Sequence, residues 1–337
     1  MTASNPLEIT PIDFSFGKFS DFDRINLLPG VWLQKLDKLL AAAINDYTTR
    51  LPIRPDIVGS HMLVLNKAQY LRGLDRRLAA EGKHRELDWI ETGALLRQVC
   101  VAITLKFRLP WAYGNSYGLR RSRGKVLISG GQFRPIVRRT DYLLHSVSAD
   151  WYRPIEDKPL AKLMVLLDPY YRSGVWRWDR FSVALGYLWS ALTTTHGELA
   201  FAALSMALEA VCAPGKSEIT HQLAERCAIL GREDRGERLE MYKDVKTLYG
   251  IRSTVVHGRP KEMKKGSTSK EWAQHLFVSA TRTAMPGVEL GRMLSLTTDV
   301  LLGAIENKAF RAILQKGQSE EAANAEFNAY FQGVLLG

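Results

Sequence analysis

Tyr249-Gly250-Ile251-Arg252-Ser253-Thr254-Val255-Val256-His257-Gly258 decides how the rest of this chain is read. It holds one guanidinium and one imidazole, Arg252 and His257, separated only by small or apolar residues. An imidazole with an ordinary pKa of about 6.5 takes up a proton and returns it at neutral pH. A guanidinium stays charged and offers a planar fork that fits a phosphate. These two groups are sufficient parts for cleaving a phosphodiester without a metal ion. In a straight helix they would project about 140° apart, because five residues overshoot one full turn. Either the helix ends or bends near Val256, or each group works with others supplied from elsewhere.

Upstream, Leu239, Tyr242, Val245 and Leu248 keep the period of the helix that delivers this stretch. Ahead of it, Phe181, Leu185, Leu188 and Leu192 form one helical stripe, and Phe201, Leu204, Leu208 and Val211 form the next. Ser217 is placed to cap a helix carrying Ile219, Leu223 and Leu230. Beyond Gly258 comes a basic loop with Lys261, Lys264 and Lys265, either a guide for a polyanion or a solvated loop. Helical stretches follow at Trp272 to Ala280 and Val288 to Ile305. A tail with Phe327, Tyr330 and Phe331 reads as a last helix that docks on the body or on a second subunit.

The first half is less uniform. Phe14, Phe16, Phe19 and Phe22 suit a short edge strand or an apolar arm. Pro29-Gly30 opens a helix on which Trp32, Leu33, Leu36, Leu39, Leu40 and Ile44 form the apolar side. Further helices are expected over about 66–80 and 87–105. Trp111, Tyr113 and Tyr117 then precede Arg120, Arg121 and Arg123, and a two-strand ribbon turning at Gly130-Gly131 is expected near 119–139. Aromatic rings interleaved with arginines suit single-stranded nucleic acid, where bases stack and phosphates need cations; the plainer reading is a solvated basic hairpin. Prolines and aromatics over 150–179 mark a packed junction between two parts.

The chain has 337 residues and a net charge of +11, a surplus that attracts polyanions without naming one. No apolar run reaches the length of a membrane span, and the first residues lack the pattern of a signal peptide. Three scattered cysteines without a C-x-x-C pair suggest reduced, buried thiols in a cytoplasmic protein. His61, His84, His145, His196, His221 and His275 lack metal-ligand spacing, so neither a metal nor a cofactor is expected. Walker, dinucleotide and nucleophile-elbow motifs are missing as well.

The ordered set Leu208-Glu209-Ala210, Glu218-Ile219-Thr220, then Tyr249-x-x-Arg252-Ser253-x-x-x-His257-Gly258 resembles the signature of HEPN domains. Within that superfamily it most resembles the ApeA-like group of bacterial defence proteins, over roughly residues 176–310. The resemblance implies a mainly α protein in which residues 1–175 form a sensing or regulatory helical region with the small β insertion. Residues 176–315 would form an antiparallel HEPN-type bundle and 316–337 a helical tail. It implies a metal-independent RNA endonuclease of anti-phage or abortive-infection defence, or a toxin. Its partners would be RNA, a second copy completing a composite site, and an antitoxin or phage-derived trigger. His257 would move the proton of a ribose 2′-hydroxyl or that of the leaving 5′-oxygen, and Arg252 would hold the scissile phosphate. The products would carry 2′,3′-cyclic phosphates. The resemblance also places Glu209 on a neighbouring helix, to orient His257, to pair with Arg252, or to make an ordinary salt bridge. Ser253 stands where many relatives carry Asn or Asp and would position Arg252 or touch phosphate. Tyr249 would stack on a base or serve as core. The other reading is a non-catalytic module that binds RNA, a nucleotide or a partner protein.

Overall fold

A computed structural model gives the fold and describes residues 7–13, 22–36, 38–49, 61–80, 92–109, 111–113, 116–122, 125–132, 137–138, 152–171, 179–194, 196–212, 219–257, 287–315 and 320–336. The protein is mainly helical, with an antiparallel sheet, and divides into two compact units. The first comprises Met1–Arg139 and Asp150–Trp176, and the second Thr140–Ala149 and Arg177–Gly337.

Pro29-Gly30 closes a hairpin, with proline at the first corner and a left-handed glycine, φ 80°, at the second. A Cβ on Gly30 would lie 2.6 Å from the Tyr70 nitrogen, so the close approach also requires glycine. The turn joins β2 (Arg24–Leu28) to β3 (Val31–Lys35) and rests on the start of α2 (Lys67–Ala80). There the Asn66 backbone N–H donates to the Gly30 carbonyl at 2.7 Å, and Asn66 Oδ1 caps α2 by accepting from Gln69 N. This corrects the reading of Pro29-Gly30 as a helix start. Over five residues an apolar run satisfies both periods, and pairing decides: β3 is bonded along both edges and buries Val31 and Leu33 on one face. The helix α1 begins only at Lys38 and runs to Thr49.

At the centre of the sheet β1 (Leu7–Asp13) pairs with β4 (His61–Leu65) on one edge. Its other edge is shared by β5 (Ala112–Tyr113) and β6 (Ser116–Ser122), which in turn carry β8 (Val137–Arg138) and β7 (Lys125–Gln132). All pairings are antiparallel. The sheet is therefore larger than the ribbon expected near 119–139. Its last hairpin pairs Ser122 with Lys125, and Gly131 lies inside β7 opposite Tyr117, so Gly130-Gly131 is not the turn. On one face Ile9, Met62, Val64 and Tyr117 pack against Leu40 and Ile44 of α1. The helix α3 (Thr92–Phe107) is buried on nearly every side and packs on α4 (Asp157–Tyr171), where Gln98 Nε2 donates to the Met164 carbonyl at 2.7 Å.

The second unit is a bundle of α5 (Arg180–Thr193), α6 (Gly197–Cys212), α7 (Ile219–Gly231), α8 (Arg235–His257), α9 (Gly287–Glu306), α10 (Lys308–Gln315) and α11 (Glu320–Leu336). Its first helix is capped by Asp179, whose carboxylate accepts from the Ser182 N–H and hydroxyl, both at 2.8 Å. α6 packs on α5, α7, α8 and α9, which places it at the centre. Gly303 of α9 lies against the end of α7, where an added Cβ would fall 1.8 Å from the Leu230 carbonyl oxygen. The tail helix α11 docks on its own bundle: Phe327 and Phe331 are buried beside Phe310 of α10.

Two polar residues hold that tail. Asn307 caps α10 by accepting from Phe310 N at 3.0 Å, and its amide donates to the Tyr330 hydroxyl at 2.7 Å. Arg226 of α7 is buried against the Phe327 and Phe331 rings, each 5.2 Å away. Its guanidinium donates to the Cys212 carbonyl at the end of α6 and to Asn328 Oδ1 of α11. Burial is the main cause that lowers its pKa from the ordinary arginine value. Asn307→Ala removes a cap and a bridge together and is expected to cost about 1 kcal/mol, read as a lower urea midpoint. An unchanged midpoint would show that neither contact stabilises the tail.

Cys100, Cys212 and Cys227 are free and buried. Among the described residues no helix is long and apolar enough to cross a membrane. Phe14, Phe16, Phe19, Ser217, the 261–265 loop and the stretch from Trp272 to Ala280 lie outside the described residues.

Candidate active site

Met241, Val245 and Leu248 form the core-facing stripe of α8, and the next position on that stripe is Arg252. A guanidinium there is drawn toward the interior, where a charge needs a partner. Glu209 supplies it from α6, at the edge of the core lined by Leu208 and Val211. Arg252 Nη2 lies 3.1 Å from Glu209 Oε1, and the two side chains are 20% and 27% exposed. Tyr249, one turn before Arg252, donates its hydroxyl to the same Glu209 oxygen at 2.9 Å. The Tyr249 ring also lies under the guanidinium, 5.4 Å from Arg252 Cζ. Arg252 Nε is buried and has no hydrogen-bond partner among the described residues.

Electrostatics follows from this packing. Burial, then the hydrogen bond to and charge of Glu209, push the Tyr249 phenol up to about 12, against a smaller opposing effect of Arg252. The phenol therefore stays a proton donor throughout the neutral range. Its raised value gives a sign. The stabilisation is complete below the unfolded value of about 10 and is lost as pH rises from there toward 12. The urea midpoint of the wild type should fall over that window, and that of Tyr249→Phe should fall less. Parallel curves for the two proteins would overturn this assignment.

The structure brings together Glu209, Tyr249 and Arg252. It carries α8 to His257, its last residue, one position past Val256, near which the helix was expected to end or bend. Side-chain surroundings of Ser253 and His257 lie outside the described residues, as do Lys261, Lys264, Lys265 and Arg123. Arg120 and Arg121 fall on β6 opposite Leu127 and Val126. The stacking role for the aromatics before them is corrected: Trp111, Tyr113 and Tyr117 are buried. The indole of Trp111 donates to Thr104 Oγ1 at 3.0 Å. Rings enclosed in this way cannot present their faces to bases. Among the described residues no three His, Cys, Asp or Glu side chains gather as metal ligands.

No family model, curated protein or solved structure matches this chain. The cluster on α6 and α8 therefore has to be read from its own chemistry. Glu209 and Arg252 were expected from sequence, whereas the Tyr249 hydroxyl bond was not. Tyr249 sits one turn before Arg252, and that spacing was the available signal. Arg226 is a buried cation that the sequence reading did not single out. Its place among Leu223, Cys227 and Leu230 on one face of α7 could have marked it as a buried cation.

Proposed function

We propose that the protein is a metal-independent RNA endonuclease with a HEPN-type bundle, acting as a homodimer in bacterial anti-phage or abortive-infection defence or as a toxin. The observation that supports this reading is Arg252: a core-edge guanidinium held by one carboxylate, with a buried Nε that has no partner among the described residues, on the helix that ends at His257. In the reaction, the ribose 2′-oxygen attacks phosphorus and the P–O5′ bond breaks. His257 accepts the 2′-hydroxyl proton, or in its charged form protonates the departing 5′-oxygen. Arg252 binds the phosphate and stabilises its added negative charge. One product ends in a 2′,3′-cyclic phosphate and the other in a 5′-hydroxyl.

The decisive experiment incubates purified wild type with matched RNA and all-deoxy oligonucleotides in EDTA and identifies the product ends. Cyclic phosphates from RNA alone are expected. Equal cleavage of the deoxy substrate would sink the mechanism, because that substrate lacks the attacking hydroxyl. A second reading, a non-catalytic module that binds RNA, a nucleotide or a partner protein, is favoured by the Glu209–Arg252 pair, which also serves as an interhelical salt bridge. RNA binding without turnover would select it.

A further inference from the structure

Tyr249 and Arg252 converge on a single oxygen of Glu209, at 2.9 and 3.1 Å. A carboxylate facing an arginine ordinarily gains most from the bidentate arrangement, in which two N–H groups meet two oxygens. Such a fork would spend both the charge and the geometry of the guanidinium on Glu209. The phenol shares Oε1 with the guanidinium, and the contact seen is a one-oxygen contact. Burial and the Glu209 charge favour the neutral, donating form of that phenol, so the shared contact persists across the neutral range. Beneath the guanidinium, the Tyr249 ring lies 5.4 Å from Arg252 Cζ. Arg252 Nε is buried and, among the described residues, uncommitted.

We infer that Tyr249 is a positioning residue that holds Glu209 in a one-oxygen contact and so keeps Arg252 competent to bind a phosphodiester. This rests on Arg252 being the phosphate-binding group proposed above, and it replaces base stacking as the role of Tyr249. Without the hydroxyl, Glu209 is free to close the bidentate fork, and the protein binds phosphate less well although no phosphate contact has been removed. Neutralising Glu209 removes the competitor, so the hydroxyl then ceases to matter.

The test measures binding of a fully 2′-O-methylated RNA decamer, which cannot be cleaved by 2′-oxygen attack, at one fixed salt concentration. Wild type, Arg252→Ala, Tyr249→Phe, Glu209→Gln and the Tyr249→Phe/Glu209→Gln double variant are compared. Tyr249→Phe is expected to weaken binding by about three- to tenfold, the scale of one hydrogen bond. Glu209→Gln should bind as well as wild type or more tightly, and the double variant should match Glu209→Gln. That rescue separates positioning from a packing defect, which would persist in the double variant. If Arg252→Ala weakens binding but Tyr249→Phe does not, the positioning role is overturned while the phosphate site stands. A Tyr249→Phe loss that persists unchanged in the double variant overturns it equally. Unaltered binding by Arg252→Ala overturns the phosphate site itself, and the positioning role with it.

Discussion

Arg252→Ala is expected to lower the single-turnover rate of RNA cleavage by about 10²- to 10³-fold, the range for deleting one charged or hydrogen-bonding group that stabilises a transition state. The loss should fall mainly on the rate at saturating RNA, because the extra negative charge on phosphorus develops during the reaction. Arg252→Lys should recover only part of the rate, since an ammonium keeps the charge but not the planar fork. Folding is a smaller concern. Glu209 keeps its bond from Tyr249 in the alanine variant, and losing the cation should cost about 1 kcal/mol of stability. Rates and urea midpoints measured on the same preparations separate the two effects. Wild-type cleavage by a folded Arg252→Ala protein would remove this residue from the chemistry.

Gly303→Ala is the substitution expected to damage the fold most. The new methyl would sit 1.8 Å from the Leu230 carbonyl oxygen and 2.8 Å from its carbon. Both are backbone atoms at the end of α7, so no side chain can rotate away. The helices α7 and α9 would have to separate, which opens the packing around Val300, Leu301 and Ala304. It would also strain the neighbouring pair in which Arg232 Nη2 meets Asp299 Oδ2 at 2.7 Å. Overpacking of this kind costs about 3 kcal/mol, against which alanine regains about 1 kcal/mol of helix propensity. A fall in Tm of roughly 4–8 °C should result. A Tm equal to wild type would mean that α7 and α9 do not approach so closely. Gly250, by contrast, has nothing within 4 Å of its would-be Cβ and lacks this packing reason for being glycine.

The helical second half was legible because its stripes are long. Phe181, Leu185, Leu188 and Leu192 cover three turns, enough to exclude the strand period, and all four are buried on α5. Val31 to Lys35 carried no such margin, and what made it a strand was β2 on one side and β4 on the other, a pairing that no local pattern displays. The ribbon near 119–139 was recognised by composition but given the wrong turn. Gly130-Gly131 has the residues of a corner, yet it lies inside β7, whose register shifts opposite Tyr117 and Gly118. At the candidate site Arg252 and Glu209 were readable as a charge pair in waiting. The Tyr249 hydroxyl was not, because a tyrosine on a helix declares its ring to a sequence reader but not the direction of its oxygen.

The central place of β1 has a consequence for how the first unit is made. Ile9 is paired across the sheet with Val64 on one side and Tyr117 on the other, so β1 waits for a second partner that emerges roughly a hundred residues later. At about 5–20 residues per second, synthesis leaves β1 without its second neighbour for about 5 to 20 seconds. Sheet closure in this unit is thus a late, long-range event with a large entropy of chain closure behind it, and its folding should be slow compared with that of a helical bundle. During that interval Ile9 and Ile12, both fully enclosed in the finished sheet, belong to an apolar strand with open edges. A nascent chain stalled before residue 112 would present that strand to chaperones or to other copies of itself.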